Sequence, residues 1–308
     1  MVNMPNNQKE LNKIPQIIQV KRLQLSDKVK KLLGPYWAKE AEKNKNKIYV
    51  YKIVYKVKGK KIVGYIVEPR KGKNLPCIIW NRGGTGDFGS IRLGQLFAKP
   101  TIAPLAIEGY IVIATQYPGV AGGEGIDRWG DDLGMASILD LYKILKNYKR
   151  ADHTRTGMFG HSRGGCMTYM SLSKVKWIKA AVVGAAPTNE IRASKWRKGW
   201  AEHQKKMYGA SINEKKKRSA IFWANKINKK TPILIMHGTA DWRVNPLDSI
   251  DMSVELYKNR VPYRLIIYEG ADHGISEFSE DYKKQTIDWF NRFLKKKDKL
   301  PNLKQHGR

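Results

Sequence analysis

Cysteine is scarce in this chain, with two residues among 308, Cys77 and Cys166. Two isolated thiols exclude the dense disulfide framework of small secreted domains and suit a reducing compartment, so we expect a cytoplasmic protein. Cysteine and histidine also do not cluster at the spacings that metal ligands require. The sequence therefore predicts no metal and no other cofactor.

Long apolar runs are also missing. No segment approaches the length that crosses a bilayer, and the N-terminal segment Met-Val-Asn-Met-Pro-Asn-Asn lacks the apolar core of a secretory signal. We therefore expect neither a membrane span nor a secretory leader.

Acidic residues are few, since 27 stand against 58 basic residues and the formal net charge is +31. Such a charge favours non-specific binding of polyanions at low salt. The basic residues are dispersed over lysine-rich segments at 56–61, 215–218 and 295–297. Because no aromatic-interleaved groove and no DNA-binding motif accompanies them, no specific nucleic-acid partner is predicted.

The hydrophobic pattern alternates between strand-like and helix-like segments over most of the chain. This alternation predicts an α/β protein with a mostly parallel, doubly wound sheet and helices on both faces. We expect residues 1–47 to be a polar segment with a helix, irregular before about residue 25, residues 48–297 to be the main domain, and residues 298–308 to be a basic tail. Between the sixth and seventh predicted strands, residues 187–230 either form a small helical cap over the site, which we favour, or pack at the sheet edge.

The most informative segment is Gly160-His-Ser-Arg-Gly164, which follows the apolar pair Met158-Phe159. Gly-x-Ser-x-Gly at the end of a strand is typical of a nucleophile elbow, a sharp strand-to-helix turn that exposes a strained serine. Glycines flank the serine because side chains at those positions would collide. The motif predicts Ser162 as a nucleophile and the Arg163 backbone N–H as a donor to an oxyanion.

An acid and a base follow this serine, each after a later predicted strand. Asp241 follows the strand that begins near Thr231, and His273 follows the strand that begins near Pro262. Reactive groups gather at the carboxyl ends of strands in an open α/β sheet, so the three side chains are expected to converge. His273 would take the serine proton, and Asp241 would hold the imidazole in the required tautomer. The order Ser-Asp-His along the chain is that of α/β-hydrolases.

Other titratable residues near these motifs have simpler interpretations. His237 ends a strand, where it packs or bonds the backbone. Asp272 adjoins His273, and neighbouring residues rarely aim a carboxylate at the next ring. Asp248 is interpreted as a helix N-cap. Asp131 and Asp132 are interpreted as carboxylates at the start of a helix, where the helix dipole favours them.

A second oxyanion donor is expected from the loop after the third predicted strand. In this loop, Arg82-Gly-Gly-Thr-Gly86, the glycines let the backbone approach an acyl group closely. The N–H of either Gly83 or Gly84 is the candidate, and the spacing does not choose between them.

Several segments together resemble the catalytic domain of the prolyl oligopeptidase family of serine peptidases. The resemblance covers roughly residues 48–296 and is carried by four segments, namely the elbow segment 151–165, the acid loop 238–246, the histidine loop 270–274 and the glycine-rich turn 117–125. It implies an α/β-hydrolase fold and a peptidase that acts on small peptides.

The chain departs from the family pattern in two places. Many members have His-Gly-Gly-Pro or a tyrosine at the oxyanion loop; Arg82 stands at that side-chain position here, and we expect it to contact the substrate. The β-propeller of prolyl oligopeptidase is expected to be absent, because only about 45 residues precede the first predicted strand and one propeller blade is about that long. The resemblance also implies that Arg243, two positions after Asp241, anchors substrate carbonyls.

Three functions remain open from the sequence. The first is a peptidase that cleaves small peptides through an acyl-enzyme on Ser162. The second is a carboxylic-ester hydrolase, because the same three residues serve both reactions. The third, from another class, is a basic polyanion-binding protein that retains a hydrolase fold; the presence of Ser162, Asp241 and His273 argues against it. The sequence does not predict an oligomeric state.

Overall fold

The computed structural model describes residues 6–304 and residue 306, and the chain divides into two compact units with the boundary between Thr156 and Gly157. The first unit carries the predicted oxyanion loop, and the second carries Ser162, Asp241 and His273. Predictions made for residues 1–5, 305, 307 and 308 lie outside the described residues.

The described residues contain nine β-strands: β1 (Ile17–Leu23), β2 (Ile48–Val57), β3 (Lys60–Pro69), β4 (Leu75–Asn81), β5 (Ile111–Thr115), β6 (Ala151–His161), β7 (Ala181–Gly184), β8 (Ile233–Gly238) and β9 (Tyr263–Tyr268). They form one sheet in the order β1-β2-β3-β5-β4-β6-β7-β8-β9, and β6 contributes residues to both units. The β4–β5 pair and all pairs from β6 to β9 are parallel, which confirms the predicted mostly parallel sheet.

The described residues also contain thirteen α-helices: α1 (Asn6–Leu11), α2 (Asp27–Lys31), α3 (Pro35–Asn44), α4 (Leu93–Ala98), α5 (Ala103–Ile107), α6 (Asp132–Leu139), α7 (Leu141–Asn147), α8 (Arg163–Lys174), α9 (Glu190–Trp196), α10 (Trp200–Tyr208), α11 (Ile212–Lys217), α12 (Leu247–Lys258) and α13 (Ser279–Phe290). Short 3₁₀ turns lie at Ala220–Phe222, Ala224–Lys226 and Ser276–Phe278, and a π-helical turn follows at Asn291–Lys295.

The first unit begins its sheet with a hairpin and one unexpected strand. Strands β2 and β3 pair along their whole length, and the two-residue turn between them has positive φ at Lys58 and Gly59, as a tight hairpin requires. Strand β1 pairs antiparallel with β2, so the segment expected to be irregular is partly a strand. Only Ile17 and Val20 of β1 are buried, so buried and exposed residues do not alternate along this strand. Its extended conformation is therefore stabilised by pairing with β2 rather than indicated by its own sequence.

The second unit is built on the parallel strands β6 to β9. All residues of β7 and β8 are buried, as expected for strands of a parallel sheet that are covered on both faces. Helix α8 packs on β7, and α12 packs on β8 and β9. Because these strands are parallel, the segments that follow β6, β8 and β9 leave the sheet at the same edge.

The segment at residues 187–230, called the insertion below, lies between β7 and β8 and contains α9, α10 and α11. It follows the seventh strand rather than the sixth, because β1 adds a strand to the predicted count. Glu190 joins α9 to α10, since its fully buried Oε2 accepts hydrogen bonds from Trp200, Gln204 and Tyr208. The insertion is thus an ordered helical element. Its predicted role as a cap, like the predicted domain boundaries, stays a prediction.

Candidate active site

Ser162 sits at a strained turn between β6 and α8. Its backbone has φ 57° and ψ −129°, a conformation that non-glycine residues rarely adopt. The turn is tight: a Cβ on Gly160 would lie 2.1 Å from the Gly164 carbonyl oxygen, and a Cβ on Gly165 would lie 2.5 Å from the Ala186 Cβ. These close approaches explain why the sequence has glycine on both sides of the serine.

His273 connects the serine to the acid. Its Nε2 lies 2.9 Å from Ser162 Oγ, and its Nδ1 lies 2.7 Å from Asp241 Oδ2. A carboxylate only accepts hydrogen bonds, so Nδ1 carries the proton that it donates to Asp241, and Nε2 accepts from the serine hydroxyl. The structure therefore brings together the three residues that the sequence predicted, each from the end of a different strand.

Asp241 is fully buried but receives several hydrogen bonds. Besides His273, its carboxylate accepts from His237 Nε2 at 3.0 Å, from the Arg243 N–H at 2.8 Å and from the Val244 N–H at 3.0 Å. Burial alone would raise the pKa of this carboxyl, but the hydrogen bonds from His237 and His273 outweigh burial and hold its pKa well below the usual range. Asp241 is therefore held in its ionised form at neutral pH, where it can stabilise a charged His273.

His237 has a role that sequence reasoning did not assign. The prediction that it packs at a strand end is correct as to burial, but its Nε2 also donates to Asp241. Its Nδ1 lies 2.7 Å from Ser249 Oγ on α12, so the Ser249 hydroxyl donates to Nδ1 and fixes the tautomer that puts the proton on Nε2. The sequence signal that could have indicated this contact is the short spacing, since His237 and Asp241 lie only four residues apart at the end of one strand.

His161, inside the Gly-x-Ser-x-Gly motif, holds the loop that carries the base. Its Nε2 donates to the His273 carbonyl oxygen at 2.8 Å, and its Nδ1 lies 3.2 Å from the hydroxyl of the buried Tyr282 on α13. The His161 and His273 rings meet edge to face with centroids 5.2 Å apart. Nothing in the local sequence signals this contact, since it joins residues 112 positions apart.

The rival carboxylates are occupied elsewhere. Asp272 accepts from the N–H and the hydroxyl of Ser276, so it bonds its own loop. Asp131 is the N-cap of α6 and accepts from the Gly134 N–H at 2.7 Å, which confirms its interpretation. Asp248 is not an N-cap: it lies one residue inside α12 and accepts from the Thr188 N–H at 3.0 Å, so it joins α12 to the start of the insertion.

Arg82, in the first unit, does not fit the predicted substrate contact. Its side chain is fully buried, and its N–H groups donate to the carbonyl oxygens of Gln116, Gly83, Phe88 and Gly86. It also pairs with Asp127 at 3.4 Å. These hydrogen bonds stabilise the conformation of the glycine-rich loop at residues 83–89, so Arg82 is a structural residue of that loop.

The glycine-rich loop that Arg82 holds is tightly folded. Gly84 has φ +70°, and a Cβ there would lie 2.2 Å from the Phe88 carbonyl oxygen. Gly83 and Gly84 as the second oxyanion donor stay a prediction.

The two other predicted contacts lie in the second unit. Arg163 is the first residue of α8, where backbone N–H groups point toward the helix N-terminus and thus toward the turn at Ser162. Arg243 is half-buried, and its guanidinium stacks on the Trp242 ring with its Cζ 4.9 Å from the ring centroid. Both positions are compatible with the predicted roles, and both roles stay predictions.

The described residues contain neither a metal-binding cluster nor a membrane-spanning helix. No group of three or more His, Cys, Asp or Glu side chains could hold a metal ion, and no helix is long and apolar enough to cross a membrane. Cys77 and Cys166 are both buried as free thiols.

Comparison with known proteins identifies the family. The profile of the prolyl oligopeptidase family matches residues 97–297, more than half of the chain. The chain belongs to the prolyl oligopeptidase family. This membership confirms the predicted resemblance and makes the chain a member of a family of serine peptidases.

The chain is similar to two known proteins but covers different shares of their lengths. It is 25% identical over 232 residues to the uncharacterized peptidase YtmA of Bacillus subtilis (strain 168), which covers 73% of this chain and 86% of YtmA. It is 27% identical over 195 residues to dipeptidyl peptidase family member 6 of Caenorhabditis elegans, covering 58% of this chain and 26% of that protein.

A solved structure shows the same fold. The acylaminoacyl peptidase of Pyrococcus horikoshii superposes with a TM-score of 0.71 at 20% sequence identity, over 83% of this chain and 43% of the peptidase. The α/β-hydrolase fold predicted from the sequence is thereby confirmed. The chain spans less than half of that peptidase, so activities of the whole peptidase do not transfer with the fold.

Proposed function

We propose that this prolyl oligopeptidase family member is a serine peptidase that cleaves small peptides through an acyl-enzyme on Ser162. The observation that carries the proposal is the unbroken hydrogen-bond chain from Ser162 Oγ through the His273 imidazole to Asp241 Oδ2, with steps of 2.9 and 2.7 Å. A serine hydroxyl needs a base within such reach to attack a carbonyl at neutral pH.

The proposed acylation follows from these distances. Ser162 Oγ attacks the substrate carbonyl carbon while its proton passes to His273 Nε2. The imidazolium keeps its Nδ1–H bond to Asp241, whose negative charge stabilises it. His273 then returns the proton from Nε2 to the leaving amine as the carbon–nitrogen bond breaks. Water activated by the same nitrogen hydrolyses the acyl-enzyme.

The oxyanion of the tetrahedral intermediate needs backbone donors that are in place before the reaction. We assign the first donor to the Arg163 N–H, because Arg163 directly follows Ser162 at the start of α8. We retain the Gly83 or Gly84 N–H as the second donor. Arg243 remains the proposed contact for a substrate carbonyl or a charged substrate group.

The test is hydrolysis of one acyl group presented both as a nitrophenyl ester and as a peptide nitroanilide, with Ser162→Ala measured alongside. We expect anilide turnover that falls by at least a thousandfold in kcat/KM in Ser162→Ala, because the remaining groups give only residual catalysis. Turnover of the ester alone would favour the esterase alternative. Undiminished turnover in Ser162→Ala would remove Ser162 as the nucleophile.

A further inference from the structure

Arg197, at the C-terminal end of α9 in the insertion, is placed beside the proposed site. Its Cζ lies 4.8 Å from the Trp200 ring centroid and 5.5 Å from the Trp242 ring centroid. The Cζ of Arg243 lies 4.9 Å from the same Trp242 ring. The guanidinium groups of Arg197 and Arg243 therefore both lie near the indole of Trp242, the residue that directly follows Asp241.

The partners of Arg197 differ from those of the other arginines in the insertion. Arg192 pairs with Asp248 and Asp251, and Arg218 pairs with Glu214. Within the part of the chain that the structure describes, the half-buried Arg197 guanidinium has aromatic contacts but no hydrogen bond and no carboxylate within 4 Å.

The surroundings of Arg197 are positively charged. The insertion has 13 basic residues against Glu190, Glu202 and Glu214. Of these acids, Glu190 is held by three hydrogen bonds, and Glu214 pairs with Lys217 and Arg218. Burial and the charges of Arg197 and Arg163 lower the pKa of His203, whose ring stacks on Trp200 at 4.6 Å. Arg197 itself is repelled by the charge of Arg243 and attracted by that of Asp241, whose carboxylate already bonds His237, His273 and two backbone N–H groups.

Arg243 is joined to the proposed catalytic residues, since its backbone N–H donates to Asp241 at 2.8 Å. Only the His273 ring separates Ser162 from Asp241, and Arg243 follows Asp241 by two residues. An extended peptide advances about 3.3–3.6 Å per residue, so a group beside Asp241 is within reach of the first residues next to the cleaved bond. A planar guanidinium pair matches a carboxylate by bidentate hydrogen bonding and by charge.

We propose that Arg197 and Arg243 together bind a carboxylate of the substrate, so that the preferred substrates are peptides with an acidic side chain at or next to the residue that acylates Ser162. This inference rests on the proposed function for its catalytic readout. The anion relieves the repulsion between two half-buried guanidinium groups, and Trp242 forms the apolar wall on which both are held.

The experiment compares peptide nitroanilides that carry Glu or Gln at the acyl residue, or one residue earlier. For the better position we expect kcat/KM to be roughly ten- to a hundredfold higher for Glu than for Gln, the range of a hydrogen bond to a charged group. In Arg197→Ala this ratio should fall to near one. In Arg197→Lys, which keeps the charge but loses the planar fork, the ratio should be intermediate.

Lys198→Ala is the matched control. It removes the same unit of charge one residue away, from an exposed side chain. Lys198→Ala should keep the wild-type ratio of kcat/KM for Glu over Gln. An exposed lysine contributes only to the screened long-range field, whereas the proposed preference comes from direct contact of the substrate carboxylate with Arg197. An equal drop in Lys198→Ala, an unchanged ratio in Arg197→Ala, or no preference for Glu in the wild type would each overturn the inference.

Binding separates this inference from the proposed function. Calorimetric titration of the Ser162→Ala variant with the same Glu and Gln peptides needs no turnover. Tighter binding of the Glu peptide that is lost in Ser162→Ala/Arg197→Ala supports the carboxylate contact even if no peptide is cleaved. Ser162-dependent cleavage with equal binding of both peptides keeps the peptidase and rejects the contact.

Discussion

The loop after β8 and the first turn of α12 each bury one aspartate, and the two carboxyl groups have opposite pKa shifts. Asp241 and Asp248 are 2% and 1% exposed. The pKa of Asp241 lies well below the usual range of aspartate, whereas burial raises the pKa of Asp248 to about 7. Two equally buried carboxyl groups thus differ in the form they favour: the ionised form for Asp241 and the protonated form for Asp248.

The difference comes from the donors around each carboxylate. Asp241 accepts from two imidazoles and two backbone N–H groups. Asp248 accepts from the Thr188 N–H, lies 3.5 Å from the Arg192 Nε, and is repelled by the nearby Glu190. Burial penalises both charges, and the donors and charges around each carboxylate decide whether the penalty is overcome. The proposed active site is the place where donors are in excess.

Asp241→Asn should have the largest effect. The amide cannot hold His273 in the tautomer that accepts the serine proton, so kcat/KM on a Ser162-dependent substrate should fall by about 10⁴-fold. The measurement is steady-state kinetics at pH 7, with circular dichroism to verify folding.

Asp248→Asn makes the same chemical change seven residues later and is the control for Asp241→Asn. Its activity should stay within a few-fold of wild type. If both variants lost activity equally, the two carboxylates would not differ in the way described here.

The pH dependence of stability should change in Asp248→Asn. The pKa of Asp248 is about 7 in the folded protein and has the ordinary value of 3.8 in the unfolded chain. As the pH rises, the unfolded chain therefore loses this proton before the folded protein does. The contribution of Asp248 to stability is therefore full below about pH 4 and is lost as the pH rises to about 7. Relative to wild type, Asp248→Asn should gain about 2 kcal/mol of unfolding free energy between pH 5 and pH 8.

Urea denaturation at the two pH values measures this change in Asp248→Asn. Asp241 acts in the opposite direction, because a lowered pKa gives stability that is lost only as the pH falls through the folded value. A parallel shift of Asp248→Asn and wild type with pH would contradict the raised pKa.

Ser249→Ala should have the smallest effect. It removes the hydroxyl that donates to His237 Nδ1 and so loosens a donor to Asp241, at a cost of about 1 kcal/mol in unfolding free energy. Ser253→Ala, one turn later on α12, removes a hydroxyl that bonds only the Ile250 carbonyl and is the matched control. We also expect kcat to fall a few-fold in Ser249→Ala and not in Ser253→Ala. If the two variants have the same kcat, the hydrogen bond from His237 to Asp241 does not contribute to catalysis.

Local sequence patterns predicted much of the site. The strand–turn–helix at Ser162 needs glycines at fixed offsets, and the acid and base follow apolar runs that read as buried strands. Each of these features is encoded in one short segment, so each can be recognised from the sequence without knowledge of the fold. The parallel sheet followed from the same alternation.

The missed features depend on contacts that the residue pattern does not show, whether the partners are near or far along the chain. Strand β1 is a strand because β2 lies beside it, and Arg82 is structural because four carbonyl oxygens surround it. His161 bonds the His273 loop across 112 residues. No periodicity or motif reports such contacts, because each residue type fits many surroundings equally well.

The sequence by itself determined which serine stands at the strained turn, which aspartate and histidine follow it, and the order in which the strands carry them. Only the tertiary structure decided the surroundings of each polar group, namely that donors keep the pKa of Asp241 low, that burial raises the pKa of Asp248, and that Arg197 and Arg243 lie near the same Trp242 ring. The physical reason is that residue type sets an ordinary pKa and a bonding capacity, whereas burial and the donors brought in from other segments set the actual charge.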